Sequence, residues 1–140
     1  MPTTAVNTWT NQKLEPYQDP EDARMINVTF TASAANIPKG TVLGQIVGTG
    51  KYEAYANAGT ADPARAIAAY DMQIDASGNV SFSSTALQSG NEFGLKHVSA
   101  PVYVGGTFRT NDLVGLDAGA VVDLGGFLMA GSVTDGILRF

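Results

Sequence analysis

The chain has 140 residues, of which only 15% are charged, and its net charge is −5. This size fits one domain with or without an arm, and the acidic balance excludes the basic surface that binds nucleic acid or an anionic membrane. The chain contains no cysteine, which excludes a disulfide scaffold and any thiolate metal site.

Residues 1–24 differ in composition from the rest of the chain. They contain three prolines, which exclude a continuous helix or a central strand, at Pro2, Pro16 and Pro20. They also contain Trp9, Leu14 and Tyr17, which offer apolar surface. We therefore predict an N-terminal arm, residues 1–24, that becomes ordered on a partner and adds little to the stability of a domain spanning 25–140. The alternative is a disordered terminus whose aromatic residues have no role.

From Met25 the sequence is typical of short strands joined by turns. Ile26, Val28 and Phe30 alternate with polar residues, which predicts a half-buried strand. A turn is expected at residues 37–40, where proline presets φ and glycine accepts positive φ.

The next segments predict a hairpin. Residues 41–47 and 51–56 have strand patterns, and Gly48-Thr49-Gly50 connects them.

Residues 62–72 allow two interpretations. Asp62 before Pro63, followed by several alanines, favours a short helix capped by Asp62. Short helices form only with tertiary support, so a strand from about Ala66 to Met72 is the other reading.

The remainder again favours short strands. Residues 77–79 predict a turn and residues 83–94 a loop, whereas Thr110-Asn111-Asp112 can cap a helical turn containing Leu113 and Val114. Apolar segments that suit strands are residues 80–82, 98–104, 121–122, 127–130 and 137–140. With 16 glycines in the chain, many of them between these segments, the pattern predicts an all-β barrel or sandwich.

Sequence patterns for catalysis, metals and cofactors fail when they are checked residue by residue. His97 is the only histidine, and no nucleophile motif accompanies it. Residues 44–51 have five residues between their glycines where a phosphate-binding loop needs four. Residues 75–79 are followed by Val80 where a calcium loop has its glycine, and the distant glutamate of that loop is missing. We expect no enzymatic activity, no catalytic residue, no metal or cofactor, and no small-molecule substrate.

The N-terminus lacks the basic and apolar segments of a signal peptide, and no apolar run approaches the roughly 20 residues that span a bilayer. We expect a soluble product that does not contact membrane.

Two segments carry glycine-bounded strand motifs. The first is Pro-Lys-Gly-Thr-Val-Leu-Gly-Gln-Ile at residues 38–46, followed by Gly-Lys-Tyr-Glu-Ala-Tyr at residues 50–55. The second is Ala-Pro-Val-Tyr-Val-Gly-Gly-Thr-Phe-Arg at residues 100–109, followed by Asp112-Leu113-Val114. Both segments, in this order, resemble the lambda-type bacteriophage head decoration family, a family of capsid-stabilising proteins. Together they cover roughly residues 36–140, and the family places a strand between them, which favours the strand reading of residues 66–72.

The resemblance implies a small β-tulip-like barrel with short strands, one or two short helical turns and an extended N-terminal arm. It implies a homotrimer at three-fold or quasi-three-fold sites of the phage head, where it binds the major capsid protein and stabilises the shell against internal DNA pressure. The protein would then lie on the outer surface of the virion, and in the host cytoplasm before assembly. The alternative is another structural β module of a virion, such as a fibre, tail or adhesin component.

Two sets of residues follow from this reading. The capsid-binding arm would use Thr8, Trp9, Thr10, Leu14 and Tyr17, with Thr8–Thr10 adding a short strand to a sheet edge of the coat protein and Trp9 as the anchor. The residues of the family motif, which we expect to serve the fold, are Gly40, Gly44, Gly50, Tyr52, Gly105, Gly106 and Phe108.

Overall fold

The computed structural model describes residues 13–17, 22–56, 62–82 and 96–140, and within them the chain is mostly β. The strands are β1 (Arg24–Val28), β2 (Ala35–Ile37), β3 (Val42–Gln45), β4 (Tyr52–Ala54), β5 (Ala64–Ala68), β6 (Met72–Ile74), β7 (Val80–Ser81), β8 (Ala100–Gly105), β9 (Thr107–Arg109), β10 (Phe127–Gly131) and β11 (Gly136–Arg139). A 3-10 turn (Thr110–Asp112) and one helical segment, α1 (Ala118–Asp123), lie between β9 and β10. The predicted all-β class is confirmed.

The largest sheet is antiparallel and closes on itself. Its order is β1-β8-β5-β3-β4. Beyond β1 the chain reaches β4, where the Tyr52 N–H donates to the Thr29 C=O at 2.9 Å and the Thr31 N–H donates to the Tyr52 C=O at 3.0 Å. These bonds join the two ends of the sheet into a five-stranded barrel, which removes most of the exposed edge that an open sheet would have.

Two smaller sheets flank the barrel. One has the order β2-β6-β7 and the other has the order β10-β11-β9. The strands β8 and β9 form almost one continuous segment that is shared between the barrel and the second small sheet, with Gly106 between them.

The apolar residues form two main clusters, one on each face of β5 and β8. The inner cluster contains Ala66, Ala68 and Val102, together with apolar residues of β2, β6 and β7. The outer cluster contains residues of the opposite face of β5 and β8, covered by the β10-β11-β9 sheet and α1: Leu14, Ile67, Ala69, Tyr103, Phe108, Val121 and Leu138. Because both faces of the chain are covered after the exposed Arg65, residues 66–69 form a continuous apolar run rather than an alternating one.

Residues 62–72 therefore form strand and not helix. Their two strands are β5 and β6, with Ala69-Tyr70-Asp71 between them, so the expected single strand 66–72 begins two residues earlier and is interrupted. The hairpin of β3 and β4 is confirmed, and Gly50 adopts a φ of +75° in its connection. The turn at residues 77–79 is also confirmed, since Asp75 accepts hydrogen bonds from the Ser77 and Asn79 N–H groups at 2.8 and 2.9 Å.

Three local expectations are wrong. Val121 and Val122 lie in α1, because Asp117 caps its first turn by accepting the Ala120 N–H at 2.7 Å. The 3-10 turn is formed by Thr110–Asp112 themselves without a side-chain cap, and Leu113 after it is extended. In the first strand Ile26 is 46% exposed, whereas Val28 and Phe30 of the same alternating pattern are buried.

Phe108 is buried, as predicted for a motif residue that serves the fold. It is 0% exposed, and its ring lies 4.9 Å from that of Tyr103 and 5.9 Å from that of Phe140, centroid to centroid. Substitution F108A should lower the free energy of unfolding by about 3–5 kcal/mol, because it leaves a cavity in the outer cluster. Chemical denaturation measures the change, and V47A at an exposed position should shift it by less than about 0.5 kcal/mol. An F108A protein that unfolds at the parental denaturant concentration would contradict the placement.

Candidate interaction surface

The described part of the N-terminal segment is docked on the barrel. Leu14 is 5% exposed in the outer cluster. Its N–H donates to the Ala69 C=O at 2.7 Å, and its C=O accepts the Tyr103 hydroxyl at 2.8 Å. The expectation that Leu14 offers apolar surface to a partner is therefore wrong, because its own domain already buries that surface.

Tyr17 is also held by the domain. Its N–H donates to the Thr107 C=O at 2.7 Å, and its ring lies 4.9 Å from the guanidinium carbon of Arg109. Further along, Asp22 forms an ion pair with Arg139 of β11. The chain therefore covers the outer edge of β9, and the boundary predicted after residue 24 divides residues that belong to one folded unit.

Thr8, Trp9 and Thr10 lie outside the described residues. The nearest described anchor is Leu14, five positions after Trp9, which is fixed by the two hydrogen bonds given above.

The first motif segment contacts the second directly. Gly40 adopts a φ of +87°, and a Cβ built on it would lie 2.2 Å from the carbonyl oxygen of Asp112. The Val114 N–H donates to the Gly40 C=O, and the Val42 N–H donates to the Val114 C=O, both at 2.9 Å. Only glycine fits this close approach, and it ties the barrel to the chain that follows the 3-10 turn.

The other motif residues also lie at packing or turn positions. A Cβ on Gly44 would lie 3.3 Å from the Asp62 carbonyl oxygen, and Tyr52 is buried at the closure of the barrel. Gly106 has a φ of +139°, and a Cβ on Gly105 would lie 2.8 Å from the guanidinium group of Arg24. The backbone of Gly106 requires glycine, and Tyr52 has a role in the fold. At Gly105 the Arg24 side chain could move aside for a Cβ, so the structure does not require glycine there.

The outer surface of β10 is apolar and lies at a sheet edge. Among the described residues β10 pairs with β11 alone, and its sequence, Phe-Leu-Met-Ala-Gly, contains no charge. Phe127 is 56% exposed and Met129 is 55% exposed, and Val122 in the neighbouring α1 is 76% exposed. Exposed uncharged edges with large apolar side chains mark sites that pair with other chains.

Sequence reasoning identified residues 127–130 as a strand but not as a surface. The only signal was that this run does not alternate, although a strand with one buried face should do so. The same run could have been a fully buried strand like β5, and only the sheet order distinguishes the two.

A group of carboxylates surrounds the start of β5. The Asp123 carboxylate accepts the Ala64 N–H at 3.2 Å, and the Asp123 C=O accepts a guanidinium N–H of Arg65 at 2.7 Å. Burial raises the pKa of Glu53, and so do the hydrogen bond that the protonated Glu53 carboxyl donates to Asp62 and the negative charge of Asp62. These contacts attach α1 to β5 and have structural roles.

The remaining side chains that could act in catalysis or bind a metal lie apart from one another in the described residues. His97 is exposed, and its ring lies 5.0 Å from that of Phe82. Within the described ranges no three His, Asp or Glu side chains converge as metal ligands would, and none of the helices there is long and apolar enough to cross a membrane.

Comparisons of the chain with protein-family models, with curated proteins and with solved structures found no match. The resemblance stated from the two motif segments thus remains a prediction.

The burial of Leu14 predicts a stabilising role for a segment that the sequence analysis expected to be dispensable. Substitution L14A should lower the free energy of unfolding by about 2–5 kcal/mol, the range for a leucine truncated in a core. Thermal unfolding should also show a loss for a chain that starts at Met25. The matched control is K13A, since Lys13 is exposed. Parental stability in both L14A and the truncated chain would show that residues 13–17 are not part of the folded unit.

The Tyr103 hydroxyl predicts a loss of stability at high pH. Burial, with smaller contributions from the negative charge of Glu15 and from Tyr70, raises the pKa of Tyr103 to about 12. An unfolded tyrosine titrates near about 10, so between pH of about 10 and 12 the unfolded state releases a proton that the folded state keeps, and stability falls as pH rises. Below that window the contribution is fully present.

Substitution Y103F should therefore reduce this alkaline loss. At neutral pH it should cost about 1–3 kcal/mol, because the Leu14 C=O loses its buried partner. Denaturation at a series of pH values measures both effects, and the ultraviolet titration of tyrosinate should lose its last-titrating group. If the stability of Y103F falls with rising pH as steeply as that of the parent, another tyrosine causes the alkaline loss.

Proposed function

We propose that the protein is a phage head decoration protein, which binds as trimers at three-fold or quasi-three-fold sites of the capsid and braces neighbouring coat subunits. Its role is structural and not enzymatic, and its partners are the major capsid protein and two further copies of itself. It acts on the outer surface of the virion.

The observation that carries this proposal is the contact between the two segments that resemble the family. They are about 60 residues apart in the sequence, yet Gly40 and Val42 of the first are hydrogen-bonded to Val114 of the second. The residues behind the resemblance thus form one structural unit, as expected if they were retained together for a common fold.

The distribution of polar and apolar surface supports a role in assembly. The chain has a low charged fraction, and it leaves the apolar edge strand β10 open among the described residues. A cementing protein must bury surface on several neighbours at once, and such edges provide main-chain hydrogen bonds together with apolar contact.

The docking of Leu14 changes how the N-terminal arm would act. Leu14 and Tyr17 are hydrogen-bonded to Ala69 and Thr107 of the domain, so the segment proposed to reach the coat protein lies before Lys13. A short arm attached at a rigid point loses less conformational freedom on binding than a free arm of 24 residues. Trp9 remains the expected anchor.

The direct test is to mix the purified protein with expanded, undecorated heads from a panel of lambda-type phages and to locate it by cryo-electron microscopy. We expect density for three copies around the three-fold or quasi-three-fold axes. Binding at tails or vertices would favour a fibre, tail or adhesin role, and failure to bind any head of the panel would contradict the proposal.

Trp9 should contribute a large part of the affinity for the head. Substitution W9A should raise the dissociation constant by about 30-fold or more, because a buried interface tryptophan is worth about 2 kcal/mol or more. Its melting temperature should equal that of the parent. The control is V98A, which truncates a side chain that is 75% exposed on the barrel. Parental affinity in W9A would remove the arm from the interface.

A further inference from the structure

Residues 24–28 of β1, which precede the contact at Thr29 that closes the barrel, have an unpaired edge among the described residues, and so does β10 of the small sheet. These two edges are complementary. Among the described residues β1 pairs with β8 alone, and β10 pairs with β11 alone. We propose that β1 of one copy pairs in antiparallel orientation with β10 of the next copy, so that identical copies join head to tail in a closed ring. This contact goes beyond the capsid-binding role proposed above and depends on it only for the number of copies in the ring.

The backbone N–H and C=O groups of Asn27 in β1 are not bonded to β8. Asn27 lies opposite Pro101 of β8, and proline has no N–H to donate. In an antiparallel pair the bonded and non-bonded positions alternate, so Asn27 and Pro101 form a non-bonded pair. The N–H and C=O groups of Asn27 therefore point away from β8, toward the open edge.

The backbone of β10 has free groups at Leu128. Gly106 and Phe140 exchange two hydrogen bonds, of 2.9 and 3.0 Å. Because Phe140 directs its backbone groups toward β9, the preceding residue, Arg139, directs them toward β10 and forms a bonded pair with Phe127. The next residue of β10, Leu128, therefore directs its N–H and C=O away from β11, toward the open edge. Pairing Leu128 with Asn27 of a second copy would satisfy all four groups.

This register brings together side chains of matching chemistry. It places Ile26, which is 46% exposed, opposite Met129, which is 55% exposed. Met129 is the bulged residue of β10, since the register with β11 shifts between Leu128 and Ala130. Met129 therefore has no partner residue in β11. Cross-strand apolar pairs of this kind stabilise sheets.

Charges at the end of the contact are also complementary. In the same register Arg24 lies opposite Gly131, whose neighbour across the turn is Asp135. Both Arg24 and Asp135 are exposed, and neither takes part in an ion pair within the described part of the chain. In the single chain the Arg24 guanidinium lies against Gly105 of its own β8, so its side chain would turn toward Asp135 when the two strands pair. Because β1 and β10 are different surfaces, the contact is heterologous, and repeated contacts of this type form a ring when the rotation closes.

Cysteine crosslinking tests the register, and the chain offers a clean background because it has no cysteine of its own. In a non-bonded antiparallel pair the Cα atoms are about 4.5 Å apart, within the range of a disulfide. The double variant I26C/M129C should form covalent multimers under mild oxidation in solution, ending in a closed trimer. The control V47C/M129C, with the cysteine moved to a residue that is 73% exposed, should not form them.

The outcomes separate this contact from the capsid proposal. Equal crosslinking in I26C/M129C and V47C/M129C, or none in either, overturns the contact. Dimers from M129C alone at the same rate would show a symmetric β10 contact and also overturn it. A closed covalent ring of another size would support the contact while contradicting three-fold placement on the head.

Charge reversal gives an independent measurement of the same contact. D135K should weaken self-association by about tenfold, since an attraction becomes a repulsion at a partly exposed site. The double variant R24E/D135K should restore association, measured by sedimentation velocity. If D135K associates like the parent, or if R24E/D135K remains as weak as D135K, the proposed register is wrong.

Discussion

The passage of the chain from β8 to β9 through Gly106 is the constraint on which the rest of the structure depends. Gly106 has a φ of +139°, and a Cβ there would lie 3.1 Å from both the Ala23 backbone and the Phe108 ring. Its N–H and C=O both bond to Phe140. One extended segment can therefore serve the barrel before Gly106 and the β10-β11-β9 sheet after it, and Tyr103 and Phe108 pack together across the passage.

This arrangement explains why a chain with short strands has two apolar clusters. Because the small sheet covers the outer face of β5 and β8, both faces of these strands are buried, and alanines occupy positions where the layers approach closely. The Leu14 side chain and the Tyr103 hydroxyl complete the outer cluster, so the N-terminal segment acts as part of the core. The contacts of Leu14 with Ala69 and Tyr103 thus stabilise the domain and also fix the point where the N-terminal segment is attached to it.

Some strand edges of the domain are covered by its own chain, and others are unpaired in the part that the structure describes. Tyr52 closes the barrel, and the segment at Tyr17 covers the outer edge of β9. Within the described residues the part of β1 before Thr29 and the strand β10 have unpaired edges, and these carry the exposed Ile26, Phe127 and Met129. Main-chain pairing at such edges gives affinity without a deep pocket, which suits a protein whose proposed role is to join large surfaces.

The sequence by itself determined the fold class and the local turns. Strand patterns, glycine connections such as Gly48-Thr49-Gly50, and the burial of Phe108 follow from backbone sterics and from apolar content, which act over a few residues. A structural role was also predicted for the glycines of the family-like segments, and Gly40, Gly50 and Gly106 have the positive φ that favours glycine, whereas Gly44 and Gly105 do not.

Only the tertiary structure decided the secondary structure and the burial of the segments whose sequence is ambiguous. The runs at residues 66–69 and 127–131 are both apolar, yet the first is buried on both faces and the second is an exposed edge, because sheet order depends on distant partners. Val121 and Val122 became helical since Asp117 caps a turn there, overriding their β propensity. Leu14 lies in the core because Ala69 and Tyr103, far away in the sequence, offer it hydrogen-bond partners, and no local pattern contains that information.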